Sequence, residues 1–150
     1  MKRFLAAAAI TLSALPAFAS NDDIRRVKSF SDVATTMDRL EEAVSGVGAT
    51  VFARVDHAAG AASVEMKLAP SQVLIFGNPK IGTQAMQDDP GAGLFLPMKV
   101  LVYRDGAGQV WLAYEDPGEM FDGLAISDDA KYIEMMTGAL GKLTAKAAGG

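Results

Sequence analysis

The 150-residue chain has no cysteine, one histidine and one tryptophan. Without thiols there is no disulfide, no zinc–thiolate or iron–sulfur centre, no covalent c-type haem and no thiol nucleophile. One imidazole cannot make a structural zinc site. A Gly-x-Ser-x-Gly elbow and a Gly-x-x-x-x-Gly-Lys phosphate loop are also missing. Basic charge is scarce: 14 Lys and Arg stand against 18 Asp and Glu, for a formal net charge of −4. Such a chain lacks the electrostatic footprint of a nucleic-acid binder and is not drawn to anionic membrane surfaces. Long apolar runs are lacking too. The stretch Phe4–Leu15, interrupted by Thr11 and Ser13, falls short of the ~20 residues that cross a bilayer, so no stable membrane anchor is expected.

That stretch has another reading. Lys2 and Arg3 precede it, Pro16 breaks it, and Ala17-Phe18-Ala19 supplies a small-x-small cleavage pattern before Ser20. Residues 1–19 therefore read as a cleavable secretory signal, and the periplasm is the expected compartment. No Arg-Arg pair marks the twin-arginine route and no cysteine follows the cleavage point, so a lipoprotein is not expected. Loss of Lys2 and Arg3 takes the net charge from −4 to −6. Residues 20–150 remain, enough for one domain with its own core at about 24–146.

The pattern along that domain alternates between sheet and helix. Ile24–Lys28 reads as a short strand. Ser31 is placed to cap a helix whose Val33, Met37, Leu40 and Val44 recur at helical spacing, with Gly46 and Gly48 ending it. Ala49–Asp56 alternates as a strand, with Val51, Ala53 and Val55 on one face; continued, it puts His57 on that face too. Residues 57–63 suggest a loose helical turn. Gln72–Gly77 is nearly all apolar, the mark of a central strand covered on both faces. Residues 78–97 hold three prolines and three glycines and read as a long loop around a short helix at Thr83–Gln87. Met98–Arg104 and Gln109–Tyr114 flank a hairpin turn at Asp105-Gly106-Ala107-Gly108. Ser127 is placed to cap a closing helix that turns Tyr132, Ile133, Met136, Leu140 and Leu143 inward. The order is β-α-β-β-β-β-α. That is an α+β domain, a single antiparallel-rich sheet covered by two main helices.

The segments FARVDHA at Phe52–Ala58, LIFGNPKIGT at Leu74–Thr83, MQDDPGAGLFLPMKVLVYRD from Met86 and VWLAYEDP from Val110 occur in that order. Together they resemble the DUF302 family of bacterial and archaeal domains over residues 28–143. The resemblance implies a TATA-binding-protein-like β-α-β4-α fold, in agreement with the order read from periodicity. It implies no DNA binding, because fold does not fix function and this surface is acidic. The family name leaves its biochemistry unassigned.

Six residues stand out as candidates for ligand binding. His57, at the end of a strand, is the natural ligand or acid–base group. Asn78, Lys80 and Thr83, with Gly82, leave a buried strand and would hold a small anion if a helix starts near Gly82. Met86 and Tyr114 complete the set, at the loop and at a strand end. Turn chemistry competes for Asn78, Pro79 and Gly82, and core packing for Met86, Met98 and Met120; Trp111 reads as core. The acidic pairs Asp88-Asp89 and Glu115-Asp116 lack calcium-loop spacing, and no metal site is assigned. The expected function is a non-catalytic module for a small ligand or a periplasmic protein, with His57, the 78–97 loop and Tyr114 at one end of the sheet. Alternatives are an acid–base or metal-assisted hydrolase using His57, and haem or copper(I) handling through His57 and a methionine. No cofactor and no catalytic residue are identified. An open sheet face or edge invites pairing, so a homodimer is among the expectations.

Overall fold

A computed structural model describes residues 23–149; the expected leader, residues 1–19, lies outside them. The elements in chain order are β1 (Ile24–Ser29), α1 (Val33–Gly46), β2 (Thr50–Asp56), α2 (His57–Ser63), β3 (Ser71–Gly77), α3 (Pro79–Asp88), a 3-10 turn (Pro90–Leu94), β4 (Met98–Arg104), β5 (Val110–Glu115) and α4 (Lys131–Ala148). The five strands form one sheet in the order β1-β5-β4-β3-β2, every neighbouring pair antiparallel. The α+β class and the β-α-β-β-β-β-α frame expected from the sequence are both present, and the helical turns expected in the connections are α2 and a longer α3.

Side-chain alternation gives the sheet two unlike faces. Leu74, Phe76, Met98, Val100, Val102, Val110 and Leu112 are buried beneath α1 and α4. Helix α1 contributes Val33, Met37, Leu40 and Val44, and α4 contributes Tyr132, Ile133, Met136, Leu140 and Leu143, the inward residues that helical spacing indicates. On the other face Val73, Ile75, Leu101, Tyr103 and Trp111 are only half-buried. Strand β3 is therefore covered on one face, not two, and β4 takes the centre.

Helix α1 crosses from the β1 edge to the β2 edge, and a buried polar contact fixes its start. Ser29 Oγ and Thr36 Oγ1 lie 2.7 Å apart, and the Thr36 hydroxyl donates to the Asp32 carbonyl at 2.7 Å. At the far edge Arg54 reaches Asp38 at 2.6 Å and Glu41 at 3.3 Å. No buried side-chain polar atom among the described residues lacks a partner, as a well-formed interior requires.

Several local expectations shift. Asp32, not Ser31, caps α1, its carboxylate accepting from the Thr35 N–H at 2.8 Å. Helix α4 begins at Lys131 rather than beside Ser127, whose hydroxyl instead donates to Asp129. A bulge at Phe52 moves the β2 register: Val51 pairs with Phe76 but Ala53 with Ile75, so Ala53 and Val55 leave the face of Val51. Trp111 lies on the half-open face because its indole N–H donates to Asp105 Oδ2 at 2.8 Å, locking the β4–β5 turn. The same carboxylate accepts from the Ala107 and Gln109 N–H groups, each at 2.9 Å. These donors, the indole first, hold Asp105 below the usual carboxylate range.

Leu40 is fully buried at the centre of α1's inner face. Leu40→Ala is expected to lower the unfolding free energy by about 2–5 kcal/mol in urea titration. Phe30→Ala, at a residue 79% exposed, should stay within about 0.5 kcal/mol.

Candidate functional site

The two large helices do not cover the whole inner face of the sheet. Strand β3 leaves the sheet at Gly77, and the chain turns at once into α3, with Asn78 as its cap and Pro79 in its first turn. Proline suits that place because the first-turn N–H has no helical partner anyway. Residues 78–97 are thus mostly regular structure. Asp89 ends α3 and starts the 3-10 turn, accepting from the Gly91 N–H at 2.7 Å and the Ala125 N–H at 2.8 Å. Those bonds, Ala125's first, hold its carboxyl below the usual range and fasten the 119–126 connector against α3.

Between α3, α4 and the C-terminal end of α1 lies an open apolar groove of about 1200 Å3. Its base is Phe76, Leu96 and Met98. Helix α4 forms the long wall with Met135, Met136, Ala139, Leu140 and Leu143, opposite Ile81 and Met86 of α3. Four large apolar side chains at the groove are well exposed: Val47 64%, Phe52 57%, Met86 39% and Met135 52%. Exposed apolar residues scattered singly need no explanation, whereas a cluster around a concavity marks a binding surface. Glycine keeps the space open. A Cβ built on Gly46 or Gly138 meets nothing within 4 Å. Methionine makes the walls adaptable, since Met86, Met98, Met135 and Met136 all line the groove.

One end of the groove is held by a buried phenol. The Tyr132 hydroxyl, in the first turn of α4, donates to Asp88 Oδ2 at the end of α3, at 2.7 Å. Burial, and then the Asp88 carboxylate, push the Tyr132 pKa up to about 12.

The six expected binding residues are divided by this geometry. Asn78, Thr83 and Met86 line the groove, and Lys80 is exposed on α3 away from its lining. Tyr114 points to the helix side of β5 and packs against the core. His57 starts α2, beyond the far end of β2, about seven residues or roughly 20 Å along the sheet from the β3–α3 junction. The single site joining His57, the 78–97 segment and Tyr114 is therefore not formed: antiparallel pairing of β2 with β3 puts the exit of one strand beside the entry of the other. His57 is exposed on a seven-residue helix with no buried side chain. The neighbouring Asp56 carboxylate accepts from the Ala59 N–H at 2.9 Å and the Gln72 amide at 3.0 Å. Among the described residues, no three of His, Asp and Glu gather as a metal site.

The anion cradle expected near Gly82 is also absent from the backbone. Helix α3 starts earlier, at Pro79, and Asn78 takes its free donors. Asn78 Oδ1 accepts from the Lys80 N–H, and its carbonyl accepts from those of Ile81 and Gly82, all at 3.0 Å. Sequence reasoning missed the α4 wall. Its signal was Met135 beside the inward Met136, followed by Gly138 and Ala139, which broadens the apolar stripe beyond what packing on a sheet requires.

Because the raised pKa favours the neutral phenol in the folded state, the Tyr132 contribution is complete below the ordinary value of 10.0 and is lost as pH rises through about 12. Ultraviolet titration of the three tyrosines should show one late component near that value, absent from Tyr132→Phe. A parent titration without that component would contradict the contact.

Comparison with known proteins agrees with this architecture. The family model described as "Domain of unknown function DUF302" matches residues 25–144. A crystal structure of an uncharacterized conserved protein DUF302 from Bacillus stearothermophilus superposes with a TM-score of 0.67 at 20% identity, covering 85% of this chain and 96% of that one. Two curated relatives bear the name fluoride-specific ion channel FluC 1, from Brucella suis biovar 1 and Brucella abortus biovar 1. Each is 42% identical over 125 residues, which make up 82% of this chain but 49% and 46% of those proteins. The chain thus spans about half the length of the curated relatives it matches, and no helix among its described residues is long and apolar enough to cross a membrane. With the family model running through nearly every element from β1 to α4, the chain belongs to the DUF302 family.

Proposed function

We propose that this chain is a non-catalytic module that binds a small apolar or amphipathic molecule in the groove between α3 and α4. The observation that carries the reading is the groove itself, about 1200 Å3 in volume and rimmed by exposed Val47, Phe52, Met86 and Met135. Leaving those side chains in water is unfavourable by roughly 25 cal/mol for each Å2 of apolar surface. A ligand that covers them recovers that free energy.

The leader read at residues 1–19 supports a periplasmic setting, where apolar molecules need a carrier or a sensor. The Brucella relatives support a place near a membrane. Their name is that of a channel, and this chain, which matches about half of each, has no helix among its described residues long and apolar enough to cross a membrane. The hydrolase and metal readings find less support. His57 stands at the other end of the sheet from Met86 and Met98, and Met120 is buried in the core.

Gly138 provides a clean test. Gly138→Leu projects a side chain into open space in the groove and replaces a residue that costs an α-helix about 1 kcal/mol relative to alanine. The variant should fold at least as stably as the parent and lose at least about tenfold in affinity for the neutral fluorescent probe N-phenyl-1-naphthylamine, a free-energy difference near 1.4 kcal/mol. Unchanged probe binding in a folded Gly138→Leu protein would reject the groove as the site.

A further inference from the structure

Beside the apolar rim residues, α4 brings charged side chains to the groove, and their charge is not balanced along its length. Lys131, Lys142 and Lys146 of α4 line it, and Glu134 is the only acidic side chain among its lining residues. Glu134 lies one turn from Lys131 and offsets that cation. Lys142 and Lys146, also one turn apart, have no acidic counterpart within a turn among the residues that line the groove. Neither side-chain ammonium makes a hydrogen bond or ion pair among the described residues. This is a cationic end on a chain whose formal net charge is −4. Lysines near a helix C-terminus complement the helix dipole wherever they face. The dipole therefore does not account for both lining an apolar groove.

From that combination we infer that the ligand is a long-chain fatty acid, its carboxylate held by Lys142 and Lys146 and its acyl chain laid along Met135, Met136 and Met86 toward the α3 end. The inference rests on the groove being a binding site and adds the class of molecule it takes. Lengths agree. From Lys131 to Lys146 the helix rises about 22 Å at ~1.5 Å per residue, the scale of an extended palmitoyl chain. The wall chemistry agrees as well: unbranched, polarizable methionine side chains adapt to a flexible chain. Two exposed ammonium groups one helical turn apart suit a single anionic head, to which each can donate a charge-assisted hydrogen bond.

Competition against N-phenyl-1-naphthylamine on the full chain tests this, with myristate, 1-tetradecanol, tetradecylamine and tetradecyl phosphate as competitors of one chain length. Myristate should displace the probe at about tenfold lower concentration than the alcohol, the lower end for a hydrogen bond to a charged group. The amine should be the weakest. In the double variant Lys142→Gln/Lys146→Gln the myristate-to-alcohol ratio should fall to within about twofold of one. Equal displacement by myristate and tetradecanol in the parent would overturn the inference while leaving the apolar groove standing, as would a ratio unmoved by the double variant. Phosphate preferred over carboxylate by the same factor would reassign the head group and overturn it too. Capture of the protein by phosphatidylglycerol vesicles with no response to monomeric myristate would make the surface a membrane contact instead. Failure of the neutral probe to bind at all would remove the underlying reading, and is told apart by being seen before any competitor is added.

Discussion

Both large helices must bury their apolar stripes on the same face of one five-stranded sheet, and the rest of the molecule follows from that constraint. Helix α1 leaves β1 at one edge and delivers the chain to β2 at the other. Helix α4 returns across the sheet, its last turn meeting the end of β1 where the Phe30 N–H donates to the Ala148 carbonyl at 3.3 Å. Their shared interior centres on Met37, Leu40, Leu74, Leu112 and Leu140, all essentially inaccessible to water. Burial on this scale is the main term available to a thiol-free domain of this size.

Two helices do not close such a face completely. The uncovered part lies where β3 ends, and α3 fills only some of it, leaving the groove. Asp88 and Tyr132 join α3 to α4, while Asp89 fastens the connector that precedes α4. The groove therefore belongs to the framework of the fold. Its open sides depend on small residues, Gly46 of α1 and Gly138 of α4, and its mouth exposes side chains that would be core if another element lay over them.

Period and punctuation made most of the fold legible in the sequence. The inward residues of α1 and α4 follow helical spacing, and the β4–β5 turn follows its Asp-Gly-Ala-Gly signal. What escaped was set by contacts between distant residues. The Phe52 bulge depends on how β2 meets β3, and Trp111 turns outward because Asp105 waits six residues earlier to accept its N–H. Residues 78–97 read as loop from their proline and glycine content, yet Pro79 and Pro90 sit in the first turns of helical segments, where proline fits. The site was half legible. Asn78, Thr83 and Met86 lie at the groove, but the α4 wall comes from the far end of the chain. The placement of His57 followed from strand direction, which periodicity alone does not reveal.

The central claim is that ligand enters between α3 and α4, and methionine methyl groups report on it directly. In a carbon-13 methyl-labelled sample titrated with myristate, the Met86, Met98, Met135 and Met136 signals should shift together, while Met37 on the inner face of α1 and the exposed Met66 beyond α2 stay in place. Shifts confined to Met66, or a titration that moves none of the four groove methionines, would contradict the account.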